Sequence, residues 1–356
     1  MDRKKMDRRK METAITKLFC IKYPIICSGM AGVSRPELVA AVSNAGGLGI
    51  LATADLTPDQ TREAIFKIRR LTQHPFGANI PFIIPGAEQN ARVLTEEKVM
   101  VVNYTLGSGQ QLIEAVHAYG GKAIATITHL RHALSAQKRG ADALIVTGHE
   151  AAAHGGEVTS LVLVPSIVDA VTIPVIAAGG FADGRGLAAA LALGAEGVAM
   201  GTRFMNTKES PVHDTMKKLS NQTQVYDTIY SDKIDGLPCR ALKSRGTHRL
   251  IHQKFYLLHA LKNSRQAART FGFPWSKLVL AILVSGVKKS KQLARMANAF
   301  SAFQLSMERG DLEKGVFLMG QVTGIIHDTP RVSEAMEQII YQAREAQKKI
   351  TQKLHP

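Results

Sequence analysis

The chain is 356 residues long, 45% hydrophobic and 21% charged, a balance that belongs to globular domains and excludes an intrinsically disordered polyelectrolyte. Three cysteines, Cys20, Cys27 and Cys239, fall in no CxxC pair, which argues against a zinc site or a disulfide framework and for a reducing, cytoplasmic setting. The formal charge of +16 raises the question of nucleic acid, so the placement of the charge matters more than its sum.

Residues 1–13 are a basic tail, opening MDRKKMDRRKM, without the apolar core that a signal peptide needs. A frayed end is the expected reading, with an address or a nucleic-acid arm as alternatives. From Pro24 onward, apolar runs stop at glycine, asparagine or hydroxyl residues: PIICSG from Pro24, GLGILAT from Gly47, FGANI from Phe76, VMVVNY from Val99, KAIATI from Lys122, ALIVTG from Ala143, PVIAAGG from Pro174 and GVAMGT from Gly197. The intervals, about 21 to 31 residues, hold a strand, a helix and two short loops. RPELVAAVSNAGG, TPDQTREAIFKIRRLT, GQQLIEAVHAYGG and HLRHALSAQKRGA fill intervals with apolar residues at three- and four-residue spacing. Eight such units with continuously apolar strands predict an α/β fold, a TIM (β/α)8 barrel over 14–212. A doubly wound open sheet is the alternative. It gives no reason for eight units, or for a phosphate site after the last two strands.

Those last two units carry such a site. AAGGFADGRG at 177–186 and AMGTRF at 199–204 place Gly179, Gly180, Gly201 and Thr202 just past two buried strands. Glycine lets the backbone come close enough to a phosphate for its N–H groups to donate, and the helix in DGRGLAAALALG would add partial positive charge.

The chain exceeds a minimal barrel of about 250 residues by roughly 100. The excess lies at 213–310, a helical subdomain inserted after strand 8 above the C-terminal face, and 311–356 returns to the barrel with VSEAMEQIIYQAREAQKKI as closing helix. No acidic residue lies between Asp235 and Glu308, which makes the insertion a cationic cap. It is either a solvated basic surface or an attractor of an anionic substrate, dinucleotide or acyl carrier. No recognised nucleic-acid module accompanies the charge, so no nucleic-acid partner is expected. The run LVLAILVSGV at 278–287 is too short to cross a bilayer and reads as a buried helix, so no membrane is expected either. Tyr226, Tyr230, Tyr256 and Trp275 in the cap read as core before pocket lining. Oligomeric state stays open, a homodimer among the options.

Chemistry concentrates in TGHEAAAHGG, from Thr147 to Gly156, directly after the sixth strand. His149, Glu150 and His154 are the ionisable groups there. A histidine shuttles protons near neutral pH, and the small neighbours of His154 leave room for a planar ligand. A metal site is the rival reading, but HExxxxH lacks the HExxH spacing that sets two ligands on one helical face. Glu150 reads first as a loop brace bonding backbone amides.

Taken in order, PIICSGMAG, AVSNAGGLG, FGAN, GADALIVTGHEAAAHGG, IPVIAAGGFADGRGLAAALALGA and MGTRF resemble the nitronate monooxygenase (2-nitropropane dioxygenase) family of FMN-dependent barrels. The resemblance runs from about Ile15 to Met205 and from Gly310 to Ala346. Flavin-dependent enoyl-acyl-carrier-protein reductases and NADH:quinone reductases are relatives of the same fold. The resemblance implies FMN held by Ser28, Gly29 and Met30 against the ring, by Asn79, and by Thr126, Thr147, Gly148 and Ala152. Ala178, Gly179, Gly180, Gly201 and Thr202 match its phosphate site. Thr126 and Thr147 stand where relatives often carry lysine and aspartate, which leaves the N1 and O2 edge of the ring without a cation on the fifth strand. His154 matches the active-site histidine of EAGGHxG, with alanine here for both preceding glycines.

The activity so implied is nitronate monooxygenase: an alkyl nitronate and O2 give a carbonyl compound and nitrite, with no metal. Protonated His154 would stabilise the anionic nitronate, the expected role, whereas neutral His154 would deprotonate a nitroalkane. The alternative is NAD(P)H-dependent flavin reduction of a quinone or an enoyl thioester, which a cationic cap would suit. NYTLGSGQQ lacks the GxGNP-like turn expected of an enoyl reductase. A non-catalytic binder of a phosphorylated metabolite is the third reading, opposed by His154 beside an intact phosphate segment.

Overall fold

The computed structural model describes residues 10–152, 154–253 and 287–354, together with 259, 260, 263–265, 268, 275 and 276. Eight strands, β1 (Ile25–Cys27), β2 (Leu48–Ala52), β3 (Phe76–Pro81), β4 (Val101–Thr105), β5 (Lys122–Ile127), β6 (Ala143–Thr147), β7 (Val175–Ala178) and β8 (Gly197–Met200), close into a parallel barrel. They follow sequence order, and β8 returns to β1 with Ile26 opposite Ala199. Each arises from one of the eight apolar runs. Alternation sorts their side chains: Ile26, Leu48, Ile50, Val101, Ile124, Ile145 and Ile176 fill the interior, while Ile25, Leu51, Val102, Leu144, Val146 and Val198 pack outward on the helices.

The two ends of the barrel differ. At the amino end the short helix Ala14–Leu18, held by a Thr13/Thr16 capping box, delivers Ile15 into the interior cluster, with Phe19 and Ile21 following it. At the carboxyl end the inward positions turn polar at Asn79, Asn103, Thr126 and Thr147, and the interior opens there. The closing helix Val332–Leu354 buries Val332, Met336, Ile339, Ile340 and Ala343 against the helices Gly184–Ala192 and Pro36–Asn44, as its sequence pattern predicts.

The insertion departs from the all-helical expectation. Besides the helices Asp214–Ser220, Arg245–Ile251 and Val287–Arg309, it carries an antiparallel hairpin of β9 (Thr228–Ser231) and β10 (Cys239–Leu242), and Ala241 bridges on to Leu318. Four-residue strands such as TIYS are too short to show a period. In the adjoining MGTRF segment, β8 ends at Met200 and Thr202–Met205 forms a short helix. The tail residues 1–9, Tyr256 and the run 278–287, apart from Val287, lie outside the described residues. Among the described residues, no helix is long and apolar enough to cross a membrane.

Candidate active site

One cavity of about 1110 Å³ lies over the carboxyl ends of the strands. Ser28, Gly29, Met30, Asn79, Thr126, Thr147, Ala152, His154, Ala178, Gly179, Gly180, Gly201 and Thr202 all line it. Gly148 does not. It stands behind Gly179, donating its N–H to the Ala178 carbonyl at 2.9 Å.

A hydrogen-bonded ledge forms one wall. Asn79 Nδ2 donates to Asn103 Oδ1 at 2.7 Å, and Asn103 Nδ2 donates to Thr126 Oγ1 at 2.9 Å. The parallel register sets Asn79 beside Asn103, and Thr53 Oγ1 fixes the Asn79 carbonyl at 2.7 Å. Asn103 went unnoticed in the sequence, although an asparagine ending the apolar run VMVVNY was a visible signal. Across the cavity Met30 approaches Gly201, where a side-chain carbon would sit 3.3 Å from the Met30 sulfur.

The glycine pair after β7 is conformationally required. Gly179 and Gly180 hold φ of 84° and 86°, a left-handed region costly for other residues. A Cβ on Gly179 would lie 2.9 Å from the Gly148 carbonyl oxygen. Two successive residues of this kind make a concave backbone turn that suits an anion. The helix Gly184–Ala192 contributes less than its sequence promised. Asp183 Oδ1 accepts from the Gly186 N–H at 3.1 Å, so that helix terminus is already capped by a carboxylate. Gly201 and Thr202, at the start of the Thr202–Met205 helix, complete the cradle, with Thr202 Oγ1 accepting from the Gly320 N–H at 3.1 Å.

The three ionisable residues after β6 take three separate tasks. Both Glu150 oxygens accept from the Ser160 N–H, at 3.1 and 3.0 Å, and Oε2 also from Ser160 Oγ at 3.0 Å, which makes Glu150 the loop brace that its sequence suggested first. His149 Nδ1 lies 3.0 Å from the Gly156 carbonyl, and its ring packs on Tyr230 at 4.4 Å. His154 and Glu150 border the cavity and His149 does not, and His154 Nε2 lies 2.8 Å from Asp235 Oδ2 in the β9–β10 hairpin. No sequence signal pointed to Asp235, 81 residues away.

The cavity's remaining walls are mostly apolar. Leu293, Met296, Ala297, Phe300, Phe303 and Met307, at helical spacing on Val287–Arg309, roof it. Of the cap aromatics expected in the core, Tyr226 is exposed, whereas Tyr230 is half-buried and donates to the Gly155 carbonyl at 2.7 Å. Trp275 Nε1 donates to Ser264 Oγ at 3.0 Å, with the Arg265 guanidinium 4.5 Å from its ring centre. On the flank, His132 and Arg139 reach the cavity from the helix after β5. Burial first, then the neighbouring Arg131 and His129, lower the pKa of His132, which leaves Arg139 the permanent cation of that flank. Burial pushes the Cys27 thiol up to about 12, so it is no nucleophile at neutral pH.

A sequence profile of the nitronate monooxygenase family matches residues 12–90 and 83–342. The chain is 40% identical over 338 residues to (3aS,4S,5R,7aS)-5-hydroxy-7a-methyl-1-oxo-octahydro-1H-indene-4-carboxyl-CoA dehydrogenase of Rhodococcus jostii, covering 94% of this chain and 96% of that one. A probable nitronate monooxygenase of Staphylococcus saprophyticus is 34% identical over 288 residues, 68% of this chain and 81% of the relative. Among solved structures, FabK from Thermotoga maritima superposes with a TM-score of 0.81 at 35% identity, covering 96% of this chain and 99% of that one.

Proposed function

The chain belongs to the nitronate monooxygenase family of flavin-dependent oxidoreductases, and from that premise we propose that it is an FMN-dependent dehydrogenase of a hydroxylated alicyclic acyl-coenzyme A thioester. The residues present fit FMN. The left-handed Gly179–Gly180 turn with Gly201 and Thr202 would take the phosphate, Met30 would lie against the ring, and the Asn79–Asn103–Thr126 ledge, with Thr147, would meet its polar edge. When bound, FMN supplies a two-electron acceptor.

The observation that carries this reading is the size and character of the cavity. Its roughly 1110 Å³ exceeds the upper end, about 1,000 Å³, of common ligand pockets, and an apolar helix roofs it. FMN with a small nitronate would leave much of that space unused, whereas an alicyclic acyl group packs against Met296, Phe300 and Phe303. Arg139 on the flank and the basic cap supply cations for the phosphates of the thioester. Near full-length similarity to the indene-carboxyl-CoA dehydrogenase of Rhodococcus jostii supports the same class. In this reaction His154 takes a proton from the substrate as the substrate loses two hydrogens. Free thiols at Cys20, Cys27 and Cys239 suit a cytoplasmic setting.

Anaerobic mixing tests the proposal. A hydroxylated alicyclic acyl-CoA bleaches the flavin within seconds, and His154→Ala slows that bleaching by about 100-fold or more. Nitronate oxidation with O2 is the second reading, favoured by an imidazole at the cavity wall. Bleaching by an alkyl nitronate and not by the thioester would establish it, and bleaching by NADH or NADPH alone would mark a reductase.

A further inference from the structure

His154 is held from outside the barrel. Asp235 is 7% exposed, and its second oxygen, Oδ1, accepts from the Leu237 N–H at 3.0 Å. An ionised carboxylate offers only acceptors, so the hydrogen shared with His154 sits on Nε2. A neutral imidazole with its hydrogen on Nε2 keeps its lone pair on Nδ1, and among the described residues none is hydrogen-bonded to that atom.

We propose that Asp235 is the positioning residue of proton transfer: it locks His154 in the Nε2–H tautomer and makes Nδ1 the atom that receives the substrate proton. The inference rests on the proposed role of His154 as base. One substrate proton bonds to Nδ1 as its bond breaks; the hydrogen on the neighbouring substrate atom would leave with its electron pair to oxidised flavin, the two-electron acceptor; and a double bond forms between the two substrate atoms. The resulting imidazolium carries hydrogen on both nitrogens and lies against the Asp235 carboxylate, which offsets its charge.

Other charged and titratable groups around the pair are already engaged. The Cys239 thiol, donating to the Ser231 carbonyl at 3.9 Å, is pushed up by burial first and by the Asp235 charge second, and stays neutral. Arg240 donates to Thr228 and to the His149 carbonyl, Tyr230 to the Gly155 carbonyl, and Glu150 is spent on Ser160. From the cap helix, Arg295 reaches the Asp232 carbonyl at 3.3 Å. The pair is therefore set by Asp235 and not by a competing charge.

Asp235→Asn distinguishes positioning from support. The Leu237 N–H would hold the new amide oxygen, turning the amide nitrogen toward Nε2, which then becomes an acceptor and drives the hydrogen to Nδ1. Nitrogen NMR of histidine-labelled holoenzyme, with His154→Gln to assign the signal, reads Nε2–H in the unmodified enzyme and Nδ1–H in Asp235→Asn. In the same variant kcat for the thioester falls about 100-fold or more with KM and flavin content unchanged, and Asp235→Glu restores part of it. An Nδ1–H signal in the unmodified enzyme, or an unchanged kcat in Asp235→Asn, overturns the inference. If no acyl thioester is oxidised at all, the functional proposal fails, while the NMR signal still decides the tautomer.

Discussion

Arg240 belongs to β10 of the cap, yet its Nη2 donates to the backbone carbonyl of His149, in the loop after β6, at 3.0 Å. Its Nη1 donates to Thr228 Oγ1 at 3.1 Å, and its guanidinium lies 5.4 Å from the Tyr230 ring centre. The side chain is buried, and burial lowers its pKa, so the protein accepts a desolvated cation to join cap and barrel. Together with the Asp235–His154 pair and the Tyr230–Gly155 bond, it ties the cap to the loop after β6 that borders the cavity.

Arg240→Met keeps most of the volume and removes both donors. The His149 carbonyl and Thr228 hydroxyl lose partners, at a cost of about 1–3 kcal/mol. Thermal unfolding of the holoenzyme is expected at least about 2 °C lower, and activity falls because the loop carrying His154 loses a fixed point. An unchanged Tm with unchanged activity would mean that cap and loop hold together without this bond.

Gly179→Ala tests the cradle. A left-handed backbone costs a non-glycine residue about 1–2 kcal/mol, and the added carbon meets the Gly148 carbonyl oxygen at 2.9 Å. If the turn holds the FMN phosphate, the strain weakens flavin binding about 5–30-fold. The ratio of flavin to protein absorbance after gel filtration measures it. A full complement of flavin in this variant would place the phosphate elsewhere.

Strands and cradle were legible because their signals are local. Each barrel strand is an apolar run ended by a small or polar residue, and Gly179–Gly180 announces its turn by composition. The place of His154 at the cavity was legible for the same reason, an imidazole among small residues after β6. Asp235 was not, since its partner is brought to it only by the folding of the insertion. The hairpin escaped because TIYS and CRAL are too short to display alternation, and Asp183 showed that a helix start in sequence need not be a free helix terminus. Asn103 could have been found, because an amide in an otherwise buried strand needs a partner, and Asn79 in the neighbouring run offers one.

The roof predicts selectivity by size. Met296 lines the cavity from the helix Val287–Arg309, half-buried and facing the space assigned to the acyl group. Met296→Trp fills part of that space without touching His154 or the cradle. Oxidation of an alicyclic thioester is expected to drop at least about 10-fold in kcat/KM, corresponding to about 1.4 kcal/mol, while flavin reduction by a small nitronate stays within about twofold. Equal losses for both substrates would show that the roof shapes the flavin site and not substrate choice.

Tyr104 carries a pH prediction. It is 3% exposed, its hydroxyl has no hydrogen-bond partner among the described residues, and burial pushes its pKa up to about 12 against the ordinary 10.0. Between those values the unfolded chain releases the phenolic proton while the folded one retains it, so the unfolded state binds fewer protons and stability falls as pH rises. Below pH 10 this stabilisation is fully present. Tyr104→Phe removes the titration and the unpaired hydroxyl together. The variant should match or exceed the parent by about 1 kcal/mol at pH 8, and its stability should fall less steeply from about pH 10 to 12. Tyr119, also pushed up to about 12 by burial but donating to the Val99 carbonyl at 2.7 Å, leaves a residual slope in that window. Urea unfolding across this pH range reads both effects, and parallel slopes for parent and variant would show that Tyr104 ionises in the folded protein as it does in the unfolded chain.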